Sequence, residues 1–172
     1  MSLRAALLGL LAEGPATGYE LTREFDIAQS GVIWPAPKGE LYRELANLQR
    51  QGFAEPDAEE GARRSRTWRI TSKGRAELKR WLKGESDYSL RYEPMLRAVF
   101  LTTLEPDEIL ARLAADRAFF AAELARLKQL KATPPTAKKS RRRFGLPLVM
   151  NFYEAMIAWS DAAAKLARKN AD

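Results

Sequence analysis

Leu3, Leu7, Leu8 and Leu11 recur at the spacing of one helical face, and Ser2 stands where an N-cap belongs. Glu13-Gly14-Pro15 ends that helix. Thr17-Gly18-Tyr19-Glu20 has the spacing of a capping box, a Thr followed three residues later by Glu, and opens a second helix whose inner face includes Leu21 and Phe25. Ser30-Gly31 and Trp34-Pro35-Ala36-Pro37 form a rigid break. A third helix is expected from about Lys38 to Gln51, with Leu41, Leu45 and Leu48 on one face and Gly52 as its stop. Residues 53–60 and 66–71 read as two short strands around a hairpin tip at Gly61-Ala62-Arg63-Arg64-Ser65. A fourth helix begins at Thr71-Ser72-Lys73-Gly74 and carries Leu78, Trp81 and Leu82.

Beyond a boundary at Gly84 to Tyr88 the strand signal disappears. A helix is expected over about 92–103, with Met95, Val99 and Phe100 among its buried residues. Glu105-Pro106-Asp107-Glu108 starts a long helix running to about 131, since proline suits the first helical position and acids suit the first turn. Its stripe is Leu110, Leu113, Phe120, Leu124 and Leu127, interrupted by Arg117. A last helix is expected from about 147 to 169, striped by Leu148, Phe152, Met156, Trp159, Ala163 and Leu166. The pattern predicts a mainly α protein: a winged helix-turn-helix of three helices, a two-stranded wing and a fourth helix over 1–84, then an all-helical dimerisation domain over 85–172.

Composition narrows the chemistry. With 46% hydrophobic and 30% charged residues the chain can build a core and stay soluble. No apolar run approaches the roughly 20 residues of a membrane span. The N-terminus lacks a signal peptide's basic start and cleavage site, so the cytoplasm is the expected address and no membrane partner is expected. The absence of both Cys and His removes disulfides, thiolate or imidazole metal ligands, and the triads that need either residue. No metal, cofactor or catalytic residue is expected; an enzyme would have to work through Glu, Lys or Tyr. A net charge of +7, shared by both halves, favours a polyanionic partner.

One ordered set of motifs covers residues 2–83 almost continuously. It runs from Leu7-Leu8-Gly9-Leu10-Leu11 through Gly14-Pro15, Gly18-Tyr19-Glu20-Leu21, Trp34-Pro35, Leu41-Tyr42-Arg43-Glu44-Leu45, Gly52-Phe53 and Thr67-Trp68-Arg69-Ile70-Thr71 to Gly74-Arg75, Leu78 and Trp81-Leu82. In this the chain resembles the PadR (phenolic acid decarboxylase regulator) family. The second half is similar only in size and helical pattern. The resemblance implies a homodimeric winged-helix repressor that binds a double-stranded DNA operator and is released by a small-molecule effector. Two departures are Pro37-Lys38-Gly39 before the third helix, where the family often has small polar residues or His, and Trp68 in place of the usual Tyr.

A helix fits the major groove, and its N-terminal residues reach base edges. With the leucines turned inward, Lys38, Glu40, Tyr42, Arg43 and Asn47 become the expected DNA-facing set. Arg43 would fork onto guanine, Asn47 onto adenine, and Tyr42 would meet a phosphate or a thymine methyl. The alternative is a solvated face in which Arg43 and Glu44 only support helicity. Arg63, Arg64, Ser65 and Arg66 at the wing tip are placed for phosphate or the minor groove, or else protect an edge strand by charge. Thr17 and Tyr19 open the second helix, where free N–H groups offer a phosphate site or are simply capped. The run from Lys138 to Arg143 reads first as a solvated loop, and otherwise as added non-specific DNA affinity or an anion site. Leu113, Phe120, Leu124, Leu127, Phe152, Met156 and Trp159 are the expected dimerisation residues, because one small domain cannot easily cover two such stripes. A rival reading is a ligand- or partner-binding module with weak, non-specific DNA binding.

Overall fold

The chain was analysed as a computed structural model, which describes residues 2–28, 37–57, 66–132 and 142–169. They divide into two compact units, Met1–Asp87 and Tyr88–Asp172.

In the first unit α1 (Ser2–Glu13), α2 (Gly18–Ala28) and α3 (Lys38–Arg50) surround a leucine core. Leu7, Leu8 and Leu11 of α1, Leu21 of α2, and Leu41, Leu45 and Leu48 of α3 are all fully buried. They are joined by Ala54, Trp68 and Ile70 from the sheet. Where two strands were expected there are three. β1 (Ala16–Thr17), β2 (Ala54–Pro56) and β3 (Thr67–Ile70) form an antiparallel sheet in the order β1-β3-β2. Ala16 pairs with Trp68 on one side of β3, and Pro56 with Trp68 on the other. The two extended residues before α2 thus cover an edge of β3 that a lone hairpin would leave open. Two residues are too short for the strand pattern to show. The hairpin tip, with Arg63, Arg64 and Ser65, lies outside the described residues, as do Trp34 and the side chain of Phe25.

Gly52, at φ 71°, ends α3 in the left-handed region, and the Phe53 N–H bonds back to the Leu48 carbonyl at 2.8 Å. The Thr71 hydroxyl donates to the Gly52 carbonyl at 2.7 Å and accepts from the Gly74 N–H at 3.0 Å, capping α4 (Ser72–Lys83). Gly74 is buried so tightly that a Cβ there would lie 2.0 Å from the Phe53 carbonyl oxygen. These contacts fix the end of α3 against the start of α4. Leu78 packs on the core, but Trp81 and Leu82, the other apolar residues carried by α4, are exposed. They lie in its last turn, where Trp81 borders Arg4, Ala5 and Leu8 of α1 without being covered.

In the second unit α6 (Pro106–Ala132) and α7 (Arg142–Lys169) pack along each other. Leu113, Phe120, Leu124 and Leu127 are buried against a stripe of α7 that includes Val149, Met150, Tyr153 and Met156. The Phe120 and Tyr153 rings lie 6.1 Å apart. Arg117, the interruption in the α6 stripe, donates from Nε to Asp161 of α7 at 2.6 Å. The buried face of α7 differs from the expected one: Leu148 and Leu166 are exposed, while Phe152 and Trp159 are half-buried. Apolar residues occupy more than one face of α7, so spacing alone did not choose the side that α6 covers.

Two boundaries also differ. α7 begins at Arg142 rather than 147 and carries Pro147 within it. The helix absorbs the one backbone hydrogen bond that proline cannot donate. The helix expected over 92–103 is a seven-residue α5 (Glu93–Val99) followed by a 3-10 turn at Leu101–Thr103. Met95, Val99 and Phe100 are exposed rather than buried. α5 is held at its start, where the Tyr92 ring meets the Phe152 ring edge-on at 5.5 Å.

Candidate nucleic-acid interface

The buried leucines of α3 decide which residues it presents outward. Lys38, Gly39, Glu40, Tyr42, Arg43 and Arg50 are exposed, and Asn47 is half-buried. Pro37 precedes the helix without a side-chain cap, and its carbonyl accepts from the N–H groups of Glu40 at 2.8 Å and Leu41 at 3.2 Å. Lys38 and Arg43 therefore project from an uncovered first half of the helix. Arg43 makes one weak local contact, Nε to the Gly39 carbonyl at 3.4 Å, which leaves most of its guanidinium free to fork onto a base.

Asn47 is differently placed. Its Nδ2 donates to Glu44 Oε2 at 3.0 Å, and its Oδ1 accepts from Arg50. Glu44 Oε1 in turn accepts from Arg4 Nε of α1 at 3.1 Å. Both ends of the amide are engaged within the protein. A fork onto adenine would first have to give up these bonds.

The start of α2 adjoins this face. The Thr17 N–H and hydroxyl donate to Glu20 Oε2 at 2.8 and 2.9 Å, and the Glu20 N–H returns to Thr17 Oγ1 at 3.1 Å. Those bonds, the backbone one first, hold the Glu20 carboxyl below its ordinary pKa. Tyr19 is 65% exposed, and the Tyr42 ring lies directly over Gly18. The structure thus brings Tyr19, Lys38, Glu40, Tyr42 and Arg43 to one part of the first unit, beside Thr17. Arg66 is exposed before β3 and lies over the Trp68 ring at 5.5 Å. Sequence reasoning missed the roles of Gly18, Arg4 and Glu44; each depends on a neighbour from another element.

The residues expected at a dimer interface are distributed unevenly. Leu113, Phe120, Leu124, Leu127 and Met156 are covered inside the chain by the packing of α6 on α7. The uncovered apolar residues of the second unit include instead Leu96, Val99, Phe100, Phe119, Leu148 and Leu166. Beside α5 there is an open hollow of about 1110 Å³, lined by residues that include Tyr92, Leu96, Phe100, Leu104 and Arg112. Of the basic run, Arg143 is exposed and lies over Phe144, whereas Lys138 to Arg141 fall outside the described residues. Among the described residues there is no group of acidic side chains placed to hold a metal, and no helix long and apolar enough to cross a membrane.

Comparison with known proteins matches residues 7–80 to the transcriptional regulator PadR-like family and residues 90–168 to the family described as virulence activator alpha C-term. The negative transcriptional regulator PadR of Bacillus subtilis is 31% identical over 110 residues, 62% of this chain and 60% of that protein. The crystal structure of Bacillus subtilis PadR in complex with operator DNA superimposes with a TM-score of 0.81 at 23% identity, over 97% of this chain and 99% of the other. The structure of the same protein with p-coumaric acid gives 0.77 at 23% identity, over 98% and 99%. These structures share the fold.

Proposed function

We propose, from the match of residues 7–80 to the PadR-like family, that the chain is a dimeric repressor that binds a specific DNA operator in the cytoplasm and is released by a small molecule. The observation that carries this reading is the division of α3 into two faces. Leu41, Leu45 and Leu48 are sealed in the core, and Lys38, Tyr42 and Arg43 are uncovered on the other side. A helix so anchored enters the major groove as a rigid element, with its N-terminal cations toward the bases. The Bacillus subtilis relative has been crystallised with operator DNA and with p-coumaric acid, which supports a DNA partner and a small-molecule effector here.

Dimerisation would use the apolar residues of α5 and α7 that the chain leaves uncovered, with Phe152 and Trp159 at their margin. A hollow as broad as that beside α5 is closed more readily by a second copy than by a small molecule alone. Two copies present two recognition helices to a two-fold symmetric site. The effector then acts by favouring a spacing of those helices that does not match the DNA.

Selection of bound sequences from random duplex DNA by the purified chain tests the reading. A two-fold symmetric motif is expected. Binding that falls steeply with salt and enriches no sequence would favour the rival, a module with non-specific DNA affinity.

A further inference from the structure

Gly18 is buried at the first position of α2. Its backbone does not require glycine, since Gly52 alone among the described glycines has a positive φ. What requires glycine is space. A Cβ at this position would stand 2.5 Å from Cε1 of Tyr42, 2.9 Å from its hydroxyl oxygen and 3.0 Å from Cζ. By contrast, Gly9, Gly14 and Gly39 have nothing within 4 Å of the corresponding point. The missing side chain of Gly18 is therefore a slot filled by the outer end of the Tyr42 ring.

The floor of that slot is fixed. The reciprocal bonds between Thr17 and Glu20 hold the residues on either side of Gly18, and the Thr22 hydroxyl donates to the Gly18 carbonyl at 2.9 Å. The ring enters from α3 and remains 42% exposed. Its hydroxyl thus lies beside the N-terminus of α2, on the same surface as Lys38 and Arg43. A side chain held this way loses little rotamer freedom on binding.

We propose that Gly18 is a positioning residue for DNA binding: its empty Cβ site seats the Tyr42 ring so that the phenol hydroxyl donates to a backbone phosphate. The inference rests on the DNA-binding reading above. A phosphate contact of this kind fixes the protein's register on the duplex without itself reading sequence.

The test is a double-mutant cycle on the full chain with the duplex that selection yields, using Gly18→Ala, Tyr42→Ala and the pair. The clash falls on the far end of a flexible side chain, so Gly18→Ala is expected to fold and to displace the ring. It should weaken binding by roughly tenfold, the scale of one hydrogen bond to a charged group. Tyr42→Ala should lose about as much, and adding Gly18→Ala to it should cost nothing further. Should Gly18→Ala alone fail to fold, the double variant must fold, because it removes the clash. Tyr42→Phe keeps the ring in the slot and should weaken binding to all sequences alike. Wild-type affinity in Gly18→Ala, or losses that multiply in the double variant, would overturn the proposal. Failure of the wild-type chain to bind any selected duplex would instead overturn the DNA-binding reading itself.

Discussion

Glu44 joins two helices: its Oε1 accepts from Arg4 Nε of α1 at 3.1 Å while its Oε2 accepts from Asn47 Nδ2 at 3.0 Å. Asn47 is thereby held on the inner shoulder of α3, and its carbonyl oxygen is taken by Arg50. Asn47→Ala is expected to weaken binding to the selected duplex by less than tenfold and to leave the preferred bases unchanged. Binding titrations with single-base variants of that duplex check this. Loss of preference at one adenine per half-site would show that Asn47 exchanges its protein partners for a base.

Gly74 and Gly9 should respond oppositely to the same substitution. A methyl group on Gly74 meets the Phe53 carbonyl oxygen at 2.0 Å, where backbone must move. Gly74→Ala should cost about 1–3 kcal/mol or more, as overpacking does. Gly9 is in the body of α1 with nothing in the way, so Gly9→Ala should stabilise by about 0.5–1 kcal/mol. Urea unfolding of both variants gives the comparison directly.

The capping box of α2 predicts a pH effect with a definite sign. Glu20's carboxyl is held below its ordinary pKa by its hydrogen bonds to Thr17. The stability it contributes is fully present above the unfolded value of about 4.3 and is lost as pH falls through the lower folded value. Thr17→Ala should cost about 1 kcal/mol at neutral pH, the usual worth of a cap. It should also reduce, without abolishing, Glu20's share of the acid-induced loss, because the Thr17 backbone N–H, the larger cause, still donates to the carboxylate. Thermal unfolding of wild type and variant across pH 3 to 7 measures both, and an unchanged acid response in Thr17→Ala would contradict the assignment.

Buried and exposed apolar side chains of the second unit separate folding from association. Phe120 is fully buried against Tyr153, whereas Phe119 is 53% exposed. Phe120→Ala should destabilise the second unit by about 3–5 kcal/mol. Phe100→Ser and Leu148→Ser, on exposed side chains of the same unit, should keep the helical signal but shift the chain toward monomer in sedimentation. Full-length dimers unaffected by those two changes would move the interface elsewhere.

The regular elements were legible because their signals are local. The leucine spacing of α3 picks out the three side chains that are fully buried, and the Thr17–Glu20 spacing gives the capping box. What stayed illegible depends on partners distant in sequence. β1 exists because β3 has an edge 50 residues away. Tyr153 is buried and Leu148 exposed because α6 lies on one side of a helix that is apolar on more than one. Met95, Val99 and Phe100 have apolar spacing, but α5 borders an open hollow among the described residues rather than a covering helix. At the candidate interface the exposed set on α3 follows from its pattern. The commitment of Asn47 to Glu44 and the slot at Gly18 required the neighbouring helices.

On the proposed function, Arg43, whose guanidinium is uncovered on α3, forks onto a base. Repeating the selection from random duplex DNA with Arg43→Ala tests it most directly. The symmetric motif is expected to persist but to relax at one base position in each half-site, with about 1–3 kcal/mol of discrimination lost there. An identical motif bound with identical affinity would contradict it.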